Sequence, residues 1–256
     1  MPETRTQPST DHLEIDLPEL AESMLAVCEL IREPARNTQR AAALADPDLL
    51  CDSLAYFTGI IRHLDQHPEQ RQTVLDENRD NFDDLSDYGL QLLEQLGNWC
   101  DYLNHTEARE ALDEIIVALA VWFGRYIGPL QRIEPVVNAL SKVANLHKDP
   151  EFLGELSHVY REIADAVAPE VKLDPDRSNP GRPWRILNLN YGIVATRSHQ
   201  PEIMEQAFEQ LLLRLPEDAA GFFTKGMEQM DAIEYPEHVR RIMEKYYTLT
   251  NNPTLH

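Results

Sequence analysis

Seven prolines, each followed at once by an acid, stand where an apolar stripe of helical period begins: Pro18, Pro47, Pro68, Pro150, Pro201, Pro216 and Pro236. Proline lacks an N–H, and the first turn of a helix is where a missing N–H leaves nothing unpaired. The acid that follows complements the positive end of the helix dipole. Ten of the 17 prolines carry an acid next to them, so the prolines of this chain punctuate helices rather than mark disorder. Glycine agrees: average usage of ~7% would give roughly 18 residues, and the chain has 10 with only 7% aromatics. A turn-rich β architecture is disfavoured.

The 3.6-residue pattern predicts helices at 17–32, 47–66, 69–79, 81–104, 107–127, 131–147, 151–168, 184–197, 201–214, 217–231 and 236–249. Asp16 and Glu19 have the spacing of a capping box at the first of them. The most regular face belongs to 81–104, where Phe82, Leu85, Gly89, Leu92, Leu96, Trp99 and Leu103 recur in steps of three and four. No segment alternates like a half-buried strand, so the expected class is all-α: an irregular helical bundle or stacked helical hairpins resembling an α-solenoid, about 11 helices joined by short loops. Residues 1–15 read as a flexible leader. The stretch 169–183, PEVKLDPDRSNPGRP, holds four prolines and no apolar period, and is expected to be extended. It either divides a 16–168 unit from a 184–256 hairpin unit or wraps a single domain.

With 44 carboxylates against 23 lysines and arginines, the formal net charge is −21. Such a surface repels a phosphate backbone and an anionic membrane, which excludes nucleic acid and membrane as expected partners and leaves a protein with a basic surface. The longest apolar run, Ile115 to Phe123, has nine residues, about half of the ~20 that cross a bilayer. It reads as a helix buried on all sides. Cys28, Cys51 and Cys100 form no CxxC pair and fall inside apolar patterns, where they read as small hydrophobes in a reducing compartment. The N-terminus has no signal-like apolar run, so the expected location is the cytoplasm.

The charge is concentrated. Between Asp76 and Glu114 twelve carboxylates face only Arg79 and Arg109, a net of −10 in 39 residues. Asp76, Asp80, Asp83, Asp84 and Asp87 follow helical spacing and would line one stripe that meets a basic partner. The run Asp83-Asp84-Leu85-Ser86-Asp87 spells DDxxD and resembles the metal-binding motif of class I terpenoid and prenyl-diphosphate synthases, which are all-α enzymes. That resemblance implies Mg²⁺ held by Asp83, Asp84 and Asp87, since a hard ion takes oxygen ligands and bridges them to diphosphate. It covers five residues, and no second metal motif follows downstream. His63 and His67, four apart, share a helix face and are the other candidate metal ligands. Asp101 with His105 repeats the spacing, and Glu155 with His158 forms a single Glu-x-x-His.

Positive charge gathers once, at Arg177, Arg182 and Arg185, with Trp184 between the last two. Arginine beside an aromatic is a common recognition surface, so Arg182, Trp184 and Arg185 are candidates for partner binding. The alternative is that they dock the loop onto the protein's own acids. Asn188, Asn190 and Tyr191 either tie neighbouring helices or line a groove. No GxGxxG, P-loop, GxSxG or Ser/His/Asp arrangement occurs, so no cofactor is expected. The expected function is a non-catalytic interaction module, an adaptor, chaperone-like factor or scaffold; the alternative is a metal-dependent or small-ligand-binding all-α enzyme. A homo-oligomer through the face of 81–104 is open.

Overall fold

The structure is a computed structural model, described over residues 14–38, 44–77, 85–174 and 179–251. Most of the expected leader, together with Asp80, Phe82, Asp83, Asp84 and Arg177, lies outside the described residues. Twelve α-helices are present among them: α1 (Leu17–Arg36), α2 (Pro47–Gln66), α3 (Arg71–Glu77), α4 (Leu85–Tyr102), α5 (Thr106–Tyr126), α6 (Glu134–Leu146), α7 (Pro150–Ala166), α8 (Pro169–Lys172), α9 (Pro183–Arg197), α10 (Pro201–Arg214), α11 (Pro216–Ala232) and α12 (Glu237–Asn251). A 3₁₀ turn, Pro68–Gln70, leads into α3. Strands are absent among the described residues; a single bridge pairs Leu130 with Val167. The all-α class is therefore what the pattern of prolines and apolar stripes requires.

Each proline start has its local reason. Asp16 accepts a hydrogen bond from the Glu19 backbone N–H at 3.0 Å, and Asp149 does the same for Phe152 at 3.0 Å. Asp46 takes two N–H groups, from Asp48 and Leu49. Several boundaries depart from the expected pattern, two of them at prolines. Helix α1 runs through Pro34 to Arg36, because Pro34 lies on the exposed side, where the carbonyl it leaves unbonded meets water. The stretch 169–183 is not wholly extended: Pro169 and Glu170 open the four-residue α8, repeating in miniature the proline–acid start seen elsewhere.

The centre of the molecule is α5. Eight of the nine residues from Ile115 to Phe123 are buried, against α1, α4, α6 and α7. Helices α1 and α2 form a hairpin laid over α4 and α5, and α9 packs on α7 and α10, with α11 and α12 closing the C-terminal stack. One cluster of buried apolar side chains runs from Leu17 to Tyr246. Its two deepest indoles still satisfy their N–H groups: Trp99 donates to the Ala45 carbonyl oxygen at 2.9 Å and Trp122 to Asp65 Oδ1 at 3.2 Å. Among the described residues no helix is long and apolar enough to cross a membrane.

Candidate functional site

Helix α9 carries apolar residues on both of its sides. One side, with Trp184, Leu187, Tyr191 and Val194, is buried in the core. Leu189 is half-buried and Ile193 is 47% exposed on the other. Opposite them stand Phe222, Gln229 and Met230 of α11, Met243 of α12, and Ile233 and Tyr235 between those helices; together they enclose a groove of about 710 Å³. Two glycines let its wall residues Phe222 and Met243 approach closely. A Cβ at Gly192 would lie 2.7 Å from the Phe222 ring, and one at Gly226 would lie 2.4 Å from the Met243 sulfur. A third glycine, Gly221, lines the mouth with no atom within 4 Å of its Cβ position.

Two arginines of the groove's lining are held by neighbouring acceptors. Arg185 donates to Asp218 Oδ1 at 2.8 Å and to the Pro180 carbonyl oxygen at 3.0 Å. Arg197 donates to the carbonyl oxygens of Ala144 and His147 at 2.9 and 2.6 Å, closing the C-terminus of α6. Lys225 and Glu217 line the rim. A concave surface lined mainly by apolar side chains, with its arginines tied to neighbouring acceptors, suits a hydrophobic segment better than a polar substrate.

The structure places the other sequence candidates as follows. Arg182 is buried and ion-paired with Asp174, with Asp218 a further 3.6 Å away. Asp174 holds a left-handed backbone, φ 47°, so this pairing fixes a strained turn. Trp184 is buried beneath the Arg214 guanidinium, 5.6 Å from its ring centre. Of the loop's partner candidates, only Arg185 reaches the groove. The nearby amides tie helices together: Asn188 donates to the Trp184 carbonyl and accepts from Arg214, and Asn190 donates to Ser141 Oγ on α6 at 2.8 Å. Asp76 accepts from Gln72 at 3.3 Å, and Asp87 accepts from the Arg132 backbone N–H at 3.0 Å. His63 and His67 stack with ring centres 4.4 Å apart, and His67 Nδ1 lies 3.1 Å from the His63 carbonyl oxygen. Stacked imidazoles point their lone pairs along neighbouring planes rather than at one point. Among the described residues no three His, Cys, Asp or Glu side chains gather as a metal site. His105, paired with Asp101 in the sequence, caps α5 by accepting from the Ala108 N–H at 3.3 Å.

A second, polar cleft of about 460 Å³ lies between α4, α5 and α6. Its floor is Asp113, buried between Arg109 at 2.8 Å and Lys142 at 3.6 Å. Burial raises the Asp113 carboxyl above the usual range, and the two cations offset this only in part. The Cys100 thiol beside them is pushed up to about 11 by burial, which keeps it a poor nucleophile at neutral pH. The cleft's charges are thus committed to one another. Neither concavity is announced by the sequence, because each is walled by three helices of one neighbourhood, α9, α11 and α12 or α4, α5 and α6, whose mutual packing no single apolar period specifies.

Compared with known proteins, the chain matches no family model, no curated protein and no solved structure.

Proposed function

We propose that this chain is a non-catalytic protein-interaction module, and that the groove between α9, α11 and α12 takes an amphipathic segment of a partner protein, apolar on one side and basic on its flanks. The observation that carries this reading is the unpartnered side of α9, where Ile193 and Leu189 face an apolar cavity large enough for several side chains. Its chemistry is that of a helix-in-groove contact, in which a few apolar anchors supply the affinity. The choice of a basic partner comes from charge. Glu228 in the last part of α11, Glu234 between α11 and α12, and Glu237 at the start of α12 are exposed, and the chain as a whole carries −21. Such a field raises the association rate of a cation, while the apolar contact sets its lifetime.

The test is calorimetric titration of the full chain with a synthetic amphipathic helix of leucine and lysine, beside a scrambled peptide of the same composition. Saturable binding of the amphipathic peptide is expected, with the scrambled peptide weaker by about tenfold or more. Ile193→Asp and Gly221→Trp, one placing a charge in the groove and the other filling its mouth, should each weaken binding about tenfold or more. Both positions are exposed, so the fold should be kept. Equal binding of the two peptides, or of the two variants and the parent, would refute the proposal.

A further inference from the structure

Two of the three cysteines, 23 residues apart in the chain, meet inside the α1/α2 hairpin. These two helices pack more extensively than any other pair among the described residues. Cys28 and Cys51 are 2% and 1% exposed, and the Cys51 thiol donates to the Cys28 carbonyl oxygen at 3.7 Å. The guanidinium of Arg32, one turn beyond Cys28 on α1, favours the Cys51 thiolate by its charge. The same group reaches Asp52 at 3.2 Å, and its Nε is buried without an aligned acceptor. Cys51 therefore has a second buried cysteine against it and the positive charge of Arg32 nearby. The contrast within the molecule is Cys100, which is equally buried and has no second thiol against it.

We propose that Cys28 and Cys51 are an oxidisable dithiol, which a hydroperoxide converts to a disulfide that ties α1 to α2. The neighbouring Cys28, together with Arg32, lowers the Cys51 thiol below its ordinary value against the opposing effect of burial, while Cys28 is raised by the same proximity and by burial. Cys51 is thus the attacking sulfur and Cys28 the resolving one. In the first step the Cys51 thiolate takes one oxygen of the peroxide; the O–O bond breaks, the other oxygen leaves as hydroxide, and Cys51 becomes a sulfenic acid. In the second, the Cys28 sulfur attacks the Cys51 sulfur, the S–O bond breaks, and the departing hydroxide leaves as water with the Cys28 proton. The dithiol gives up two electrons and the peroxide becomes two molecules of water. Arg32, whose side chain is 25% exposed, is the cover a molecule as small as hydrogen peroxide passes when it swings out.

The full chain is treated with one equivalent of hydrogen peroxide, alkylated under denaturing conditions and mapped by mass spectrometry. The expected product has lost the mass of two hydrogen atoms, links the Cys28 and Cys51 peptides within one chain, and carries the alkyl group on Cys100. Its thermal midpoint should rise by about 5–10 °C, since the closed loop restricts the unfolded chain, and dithiothreitol should reverse both changes. Arg32→Gln should slow the reaction about tenfold. In Cys28→Ser, dimedone should trap the Cys51 sulfenic acid. Overoxidation of Cys51 with Cys28 still a thiol, a link between chains, or three alkylated cysteines after peroxide would each overturn the proposal. The wild-type map decides this even if a cysteine variant fails to fold.

Discussion

Asp113 is a charge placed where a charge is costly. Its side chain is 2% exposed, and removing an ion from water costs several kcal/mol before any partner is counted. Room for the compensating guanidinium comes from α4, where a Cβ at Gly97 would stand 1.9 Å from Arg109 Nη1. Arg109→Leu leaves the carboxylate with Lys142 alone, and should destabilise the fold by about 3 kcal/mol in urea titrations. The raised carboxyl also makes a pH prediction. Between the ordinary aspartate pKa and the raised one, the folded chain holds a proton that the unfolded chain has lost. This contribution is therefore complete below the unfolded pKa and lost as pH rises through the folded one. Asp113→Asn lacks it, so the stability difference should move in favour of the variant as pH climbs from the aspartate range to neutrality. Urea midpoints that keep a constant gap would show that Asp113 titrates normally.

Helix starts are the elements for which local chemistry is sufficient. The Asp46-Pro47-Asp48 start of α2 combines a side-chain cap, a proline at the first helical position and an acid in the first turn. Asp46→Ala should therefore cost about 1 kcal/mol, measured by urea unfolding, with the helix itself retained. Such starts were legible because every group involved lies within a few residues. The faces of α9 were not: Ile193 and Val194 are neighbours of the same chemical kind, yet one is 47% exposed and the other 2%. What distinguishes them is which side of α9 packs on α7 and α10, an arrangement set by residues far from either letter. Arg182 and Arg185 likewise find Asp218 on α11, a partner that no local pattern announces. The acidic stripe reads as uniform in the letters, although Asp87 accepts from the Arg132 backbone N–H. The meeting of Cys28 with Cys51 depends on how α1 and α2 register as a hairpin, which their separate apolar periods do not specify.

For the whole molecule, charge and groove divide the work. Residues 184–256 hold ten acids against seven bases, so most of the −21 belongs to the preceding chain. The apolar contact surface thus sits on the least acidic part, and the rest supplies a long-range field. A net charge of that size also repels itself in the compact state, so added sodium chloride should raise the thermal midpoint until the Debye length falls below the spacing of surface charges, at ~8 Å near physiological ionic strength. A midpoint indifferent to salt would mean the acids are locally compensated. The central claim, that the side of α9 facing α11 is a docking groove, is tested most directly by amide NMR of the labelled chain during addition of the leucine–lysine helix. The account predicts shifts confined to Leu189, Ile193, Phe222, Gly226, Ile233 and their neighbours, and lost in Gly221→Trp. Shifts spread along the acidic faces of α3 to α5, with the groove unmoved, would contradict it.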